Sequence, residues 1–460
     1  MDGRRPGRGA GRHRRPGGAG GPSAARHPAT VRDGVGVSAA AAGGLGRSFW
    51  LLYGGESASA LGTAASVIAL PVVALRAGGD IRQAGLAGTA LSVGVLLARL
   101  PAGVLADRRE RRTVLLTGNA AGALVLAALA LSASGGMPPL WAVLVAALLL
   151  GAVGSTLAPV ENVVVRCFVR PEHLPRAVGL LQSRTAVAAM AGPVAGGALL
   201  AVHPSWVFAV DAGSYLAAVC CVALLPKGRR ERPGDEPAAP GVRAALAEGV
   251  RFIWRVPFLR YAVVNAAVLN LVFNGLLIVV VASGGGAVHI GVLTAALGTG
   301  GLAGSLLAPA LARRLPPARG IALGTAVVAL ALPGFTLAQG HWTAVLPLAL
   351  AAAAGPVVTV LIAVTQMEVT PPGLQGRVHS GIGFLAQLVA PAGPTLAGLC
   401  AHAFGLTGTV AGAAVVVVVL AAVGLAATAG RTGGGPAAGP TGAGGAPERR
   451  NDNPAEAVHG

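Results

Sequence analysis

The chain contains about twelve apolar runs, each close to the length that a helix needs to cross a lipid bilayer. A hydrocarbon core about 30 Å thick requires roughly 20 apolar residues. Charged residues make up only 11% of the sequence, against about 25% in a soluble domain. Since the runs have helix length, we predict an all-α polytopic membrane protein with two six-helix bundles. The predicted spans are 49–75, 86–106, 113–131, 141–164, 177–202, 206–225, 258–282, 288–311, 321–338, 343–366, 381–403 and 406–427.

The net charge of +18 is concentrated in alternate loops between these runs. Arginines cluster after spans two, four, six and eight, whereas the opposite loops carry only Arg76 and Arg82. Positive residues are retained on the cytoplasmic side, so we expect a multi-pass protein of the cell membrane with both termini inside. A nucleic-acid-binding protein would gather basic residues on a folded polar surface. No nucleic-acid partner is therefore expected.

An internal repeat divides the membrane region into two halves. Arg377 and Pro394 in the second half repeat the spacing of Arg176 and Pro193 in the first. The polar segment between the halves is predicted to be a cytoplasmic linker. Both ends of the chain are rich in Gly, Pro and Arg without apolar periodicity, which is typical of disorder. The predicted regions are a tail 1–47, a bundle 48–226, a linker 227–256, a bundle 257–428 and a tail 429–460.

The fifth run has an unusual concentration of small residues around a proline. Proline bends a helix, and small residues let membrane helices pack closely. The residues concerned are Gly179, Ala188, Gly192, Pro193, Gly196 and Gly197. Their spacing resembles the antiporter motif in the fifth helix of major facilitator superfamily exporters, with alanine at position 188 where the family has glycine. The resemblance implies a transporter, although a kinked packing helix would also explain the composition.

The loop after the second run carries a second pattern of this kind. The segment from Gly103 through Asp107 and Arg108 to Arg111 and Arg112 resembles the superfamily's G-x-x-x-D-R-x-G-R-R motif. An aspartate there can cap a helix N-terminus and pair with the arginines. The resemblance implies a conformational latch. The alternative is a charged hairpin that only sets orientation.

The first run narrows the resemblance further. Trp50, Tyr53, Gly54 and Gly55 are similar to the first helix of the macrolide-efflux and enterobactin-exporter branch. This implies a monomeric exporter of a drug, macrolide or siderophore-like amphipathic compound, working by proton antiport and alternating access. The motif arginine that many proton-coupled exporters carry in span four is absent from 146–150. Their proton relay is therefore not carried over.

Polar residues inside the runs are the candidate sites, because charge in hydrocarbon is costly and tends to be kept for function. Glu56 and Asp211 are the candidate proton carriers, with Arg184 as a partner for either one. A structural ion pair is the alternative role. Polar residues that would line the substrate cavity, or join helices, are Gln182, Asn265, Asn270, Asn274 and Gln387.

The sequence shows few features that are typical of an enzyme. No GxxxxGK[ST] loop for nucleotide binding occurs, and the histidines and four cysteines are not spaced as metal ligands. We therefore expect no enzyme activity, no cofactor and no metal, with the substrate, protons and the lipid bilayer as partners. Two alternatives remain: a facilitator that is not coupled to protons, and a sensor or scaffold with a transporter fold.

Overall fold

A computed structural model describes residues 45–108, 110–226, 242–338, 341–371 and 374–432, with side chains except at 100–108, 242–246 and 427–432. These residues are mostly helical and include no strand. Nearly all of the two predicted tails, and the linker from 227 to 241, lie outside the described residues.

Six long helices make up the first half of the membrane region. They are α1 (Arg47–Gly78), α2 (Ile81–Arg108), α3 (Arg111–Ser134), α4 (Leu140–Phe168), α5 (Leu174–Val202) and α6 (Pro204–Ala223). Their ends follow from local sequence. Gly79 has φ 69° and its N–H donates to the Leu75 carbonyl, which is the left-handed cap that glycine favours. Pro204 begins α6, where the amide that proline lacks would have no helical partner.

The second half is preceded by a short amphipathic helix. The helices are α7 (Val242–Arg255), α8 (Pro257–Ala282), α9 (Gly286–Arg314), α10 (Pro317–Leu337), α11 (Val345–Val369), α12 (Gln375–Leu388) and α13 (Ala392–Thr432). The predicted single span 381–403 is interrupted between α12 and α13. Pro391 lies in this interruption and has no N–H to continue the helix.

Eleven helical stretches of the described chain are long and apolar enough to cross a membrane. The last, Gln375–Ala426, has 52 residues, which suffices for two crossings of about 20 residues each. Gly405 has φ 72° inside α13 and marks the point where the chain turns between them. The prediction of an all-α polytopic protein with about twelve spans is confirmed.

The two halves repeat one packing pattern. In the first half, α2 packs on α4, α3 on α6 and α1 on α6; in the second, α9 packs on α11, α10 on α13 and α8 on α13. The halves meet mainly where α5 packs on α9 and where α2 packs on α13. The internal repeat in the sequence thus corresponds to repeated packing of helices.

Contacts between the halves concentrate near one side of the bundle. We call the side where α1 begins and α6 ends the linker face, and the other side the opposite face. Thr89 near the start of α2 donates a 2.8 Å hydrogen bond to the Pro391 carbonyl. His402 Nδ1 lies 3.7 Å from an Asp80 carboxylate oxygen, and Arg82 lowers the pKa of that carboxyl by donating a hydrogen bond to it. The halves are therefore joined toward the opposite face.

Candidate functional site

Four helices of the first half bring polar side chains to one level of the bundle. Glu56 lies on α1, Asn119 on α3, Glu161 on α4 and Arg184 on α5. Each is roughly two to three helical turns from the linker face, or about 10–15 Å along its helix. Glu56 and Glu161 are each 7% exposed and Asn119 is fully buried. We call these four residues the polar cluster.

The polar cluster contains one complete ion pair. Arg184 Nη1 lies 2.5 Å from Glu161 Oε1, and Nη2 lies 2.9 Å from Oε2. Two parallel hydrogen bonds of this kind give arginine–carboxylate pairs both strength and a fixed geometry. The pair joins α4 to α5, two helices that both pack on α1. It therefore spans the space beside α1 in which Glu56 lies.

Glu56 has a different environment. Its Oε1 accepts a 3.0 Å hydrogen bond from Asn119 Nδ2, which also donates to the Leu115 carbonyl. Both charged groups of the neighbouring pair interact electrostatically with Glu56, but Glu56 forms no ion pair within 4.0 Å with any described side chain. A buried carboxyl that is not held in an ion pair can gain or lose a proton, and no ion pair is broken by the change.

The direct ion-pair partner of Arg184 is neither of the two acids that the sequence suggested. The sequence suggested Glu56 or Asp211, whereas the guanidinium pairs with Glu161. The reason is the packing of the helices: the register of α4 against α5 sets which carboxyl lies within reach. Sequence reasoning passed over Glu161, although a signal was present, since it is an acid inside the predicted span 141–164.

Asp211 lies in a separate polar contact between α1 and α6. One carboxylate oxygen accepts a 2.5 Å hydrogen bond from Ser66, and the other accepts a 3.1 Å bond from Ser214. The side chain is 1% exposed. Gly62 faces it so closely that an added Cβ would contact the carboxylate. Asp211 therefore fills a tight interface within the first half, away from the polar cluster.

The candidate residues of the second half mainly join helices. Asn265 is fully buried and donates a 2.8 Å bond to Thr325 on α10. Asn270 donates a 3.1 Å bond to the Ala386 carbonyl on α12. Asn274 donates to the Asn270 carbonyl and lines a cavity of about 90 Å³ between helices of both halves. Gln387 is half-buried.

Gln182 does not approach the other candidates. It is exposed on α5, and no hydrogen bond of its side chain is found among the described residues. Asn274, another of the five expected cavity residues, lines the cavity between the halves.

The small residues of α5 divide between two contacts. Gly192 and Gly196 face α1, where an added Cβ at Gly196 would lie 2.8 Å from the Ala65 carbonyl oxygen. Gly197 faces Ala287 and Gly291 on α9, and the Pro193 carbonyl approaches Gly291 in the same contact. Gly179 has open space around it. The motif helix therefore packs within its own half and against the other half.

The predicted latch is only partly described. Gly103, Asp107 and Arg108 lie at the end of α2, and their side chains lie outside the described residues. Arg111 donates a 3.3 Å bond to Cys167 Sγ near the end of α4. Arg112 donates a 2.7 Å bond to the Ala223 carbonyl at the end of α6, a favourable position for a cation at a helix C-terminus. Both arginines thus tie helix ends together at the linker face.

Comparison with known proteins places this geometry among transporters. The sequence profile described as Major Facilitator Superfamily matches residues 52–394. The multidrug efflux pump Tap of Mycobacterium tuberculosis (strain ATCC 25618 / H37Rv) is 28% identical over 389 residues, covering 79% of this chain and 89% of that protein. Tap of Mycolicibacterium fortuitum is also 28% identical, covering 78% and 90%.

Solved structures show the same fold at low identity. The nucleoside transporter NupG superposes with a TM-score of 0.67 at 12% identity, covering 83% of this chain and 98% of that one. A bacterial homologue of the human lysosomal transporter Spinster, in an inward-facing and unoccupied conformation, gives a TM-score of 0.64 at 16% identity, covering 82% and 95%. These likenesses concern the arrangement of the helices.

Proposed function

The chain belongs to the Major Facilitator Superfamily, and we propose that it exports a drug-like amphipathic compound by proton antiport with alternating access. The superfamily assignment confirms the resemblance seen in the sequence, and it confirms that the chain is a transporter and not an enzyme. It is a multi-pass membrane protein that takes a small-molecule substrate. Proton coupling, the cell membrane as its location, cytoplasmic termini and a monomeric state are parts of the proposal.

The observation that carries proton coupling is the unequal sharing of one arginine by two buried acids. Glu161 holds Arg184 with two hydrogen bonds, whereas the hydrogen-bond partner of Glu56 among the described residues is Asn119. When Glu56 is protonated, Arg184 has one anionic neighbour. When Glu56 loses its proton, Arg184 has two anionic neighbours. The preferred positions of α1, α4 and α5 then differ from those in the protonated state. A ligand shifts a conformational equilibrium only through such a difference in interaction.

Asp211 is the second candidate for the proton carrier. It too forms no ion pair within the part of the chain that the structure describes, but two serines hydrogen-bond its carboxylate, and Gly62 leaves no room for rearrangement. A role in holding α6 against α1 fits these contacts better. We therefore place Glu56 first and Asp211 second.

The proposed cycle separates the contacts at the opposite face and forms new ones at the linker face. Glycines at the α5–α9 and α2–α13 contacts let backbones touch without interlocking side chains, which favours reversible separation. The latch motif from Gly103 to Arg112 would hold one of the two states. Asp107→Asn should then slow transport at unchanged membrane abundance, and Arg111→Ala should resemble it. Normal transport by Asp107→Asn would reduce this loop to an orientation signal.

The proposed substrate class rests on the relatives. Tap is named a multidrug efflux pump. Drugs, macrolides and siderophore-like compounds all combine apolar surface with a few polar groups. The proposal is therefore an amphipathic organic compound.

The experiment is transport by the purified protein in proteoliposomes, with ethidium as the probe and an imposed pH gradient as the energy source. Glu56→Gln should lose uphill transport but keep downhill exchange, because exchange needs the conformational cycle without net proton movement. Glu172→Gln is the matched control, since Glu172 is an exposed acid in the loop between α4 and α5.

Each other outcome selects a different function. Uphill transport by Glu56→Gln at the parent's rate would exclude Glu56 as the proton carrier. The same result for Asp211→Asn would exclude both acids from that role. A transport rate that does not depend on the imposed pH gradient would indicate a facilitator that is not coupled to protons. Binding without movement of any probe across the membrane would favour a sensor or scaffold.

A further inference from the structure

The short helix α7 docks on the second half through one of its faces. Gly249 contacts the backbone of Arg377 and Val378 on α12, and Ile253 is fully buried beside Gly381. Glu248 forms an ion pair with Arg377. These contacts fix both the position and the rotation of α7.

The other face of α7 is open and combines cations with an aromatic ring. Arg251, Trp254 and Arg255 are exposed, and the Trp254 residue is 51% exposed. Residues three and four positions apart lie side by side on a helix, with Cβ atoms about 5–6 Å apart. The three side chains therefore form one surface, which we call the Arg–Trp surface.

The Arg–Trp surface lies at the edge of the membrane region. Only Val256 separates α7 from α8, and α8 is long and apolar enough to span the bilayer from Pro257 onward. Tryptophan is enriched at this depth because its ring is apolar and its N–H is polar. Arginine binds phosphate through two parallel hydrogen bonds. A tryptophan beside two arginines at this level matches the chemistry of an anionic lipid headgroup with its glycerol and upper acyl chains.

We propose that the Arg–Trp surface binds an anionic phospholipid. Arg251 and Arg255 hold the headgroup phosphate, and Trp254 packs against the glycerol region. The Glu248–Arg377 ion pair and the buried Ile253 link this lipid to α12, so bound lipid holds the linker side of the second half at the membrane surface. The site is separate from the polar cluster and does not depend on proton coupling.

The test is binding of phospholipid to the full-length protein in detergent, measured by native mass spectrometry. Phosphatidylglycerol and phosphatidylcholine with identical acyl chains are the probes. The parent should retain phosphatidylglycerol preferentially. Arg251→Gln/Arg255→Gln should reduce its apparent affinity on the order of tenfold, because each arginine contributes attraction to an anionic lipid. Arg251→Lys/Arg255→Lys, which keeps the charge but cannot form the two parallel hydrogen bonds, should bind phosphatidylglycerol less tightly than the parent and more tightly than the glutamine variant.

The matched control is Arg313→Gln/Arg314→Gln, which removes two exposed arginines from the end of α9 on the same side. This variant should bind like the parent. Equal loss in the control would show a general charge effect and overturn the site, as would equal binding of the two lipids by the parent. Unchanged phosphatidylglycerol binding by the α7 glutamine variant would also overturn it.

Discussion

The two halves of the molecule share a packing pattern but bury different kinds of polar side chain. The first half buries Glu56, Glu161 and Asp211, with Arg184 in the pair. Among the described residues of the second half, the buried polar side chains are amides, hydroxyls and one histidine. Two of these side chains, Asn265 and Thr325, form a hydrogen bond that joins α8 to α10. Among the described residues, helix packing is therefore duplicated, whereas buried carboxylates occur in the first half alone.

This difference suggests a division of labour between the halves. Ionisable groups in a membrane interior are expensive and tend to be kept for function. Amides that hydrogen-bond between helices contribute modestly to stability, at about 0.6–2 kcal/mol each. We therefore expect substitutions of polar residues to affect coupling in the first half and packing in the second.

The largest expected effect is the loss of one partner from the buried ion pair. Arg184→Gln leaves Glu161 with a buried charge and no counter-ion, which typically costs about 3–5 kcal/mol. Thermal unfolding in detergent should show a marked drop in stability. Glu161→Gln/Arg184→Gln should recover most of it, because no unpaired charge remains. If the double variant is as unstable as the single one, the pair itself stabilises the first half.

The next largest effect is expected from adding bulk at the contact between the halves. It should be equal for substitutions in either half, because both halves form this contact. Gly197→Leu on α5 and Gly291→Leu on α9 each add bulk where backbones touch, and overpacking costs about 1–3 kcal/mol. Both should slow transport similarly, as measured by ethidium export in cells at matched abundance. Val194→Leu is the control, since Val194 is 39% exposed. Unequal effects at the two glycines would show that the contact is not symmetric.

A smaller effect is expected for the amide in the second half. Asn265→Leu removes one hydrogen bond between α8 and α10, with a loss of about 0.6–2 kcal/mol. Uphill transport driven by a pH gradient should persist, in contrast to Glu56→Gln. Loss of coupling in Asn265→Leu would break the division of labour between the halves, whatever its effect on thermal stability.

The smallest perturbation tests which side of the membrane each face occupies. In a variant without native cysteines, Met137→Cys and Trp342→Cys place thiols near the opposite face of each half, at residues 47% and 60% exposed. An impermeant thiol reagent should label both in intact cells. Glu172→Cys and Arg319→Cys, near the linker face, should be labelled only after lysis. The reverse pattern would invert the proposed topology.

The sequence by itself determined the elements of this protein and its superfamily. Apolar length marks a span because the bilayer has a fixed thickness. Helix ends at Gly79 and Pro204 follow from the backbone preferences of those residues. The small residues of α5 marked a helix that packs closely, and the glycines at 192, 196 and 197 do so. These features depend on residues that are near one another in the chain.

Only the tertiary structure decided which polar residues meet. It paired Arg184 with Glu161 and left Glu56 with Asn119, and it made Asn265 a link between helices. Each of these outcomes depends on which helices are neighbours and on their relative register. Helix packing fixes both through contacts distant in sequence, and local periodicity carries no information about them.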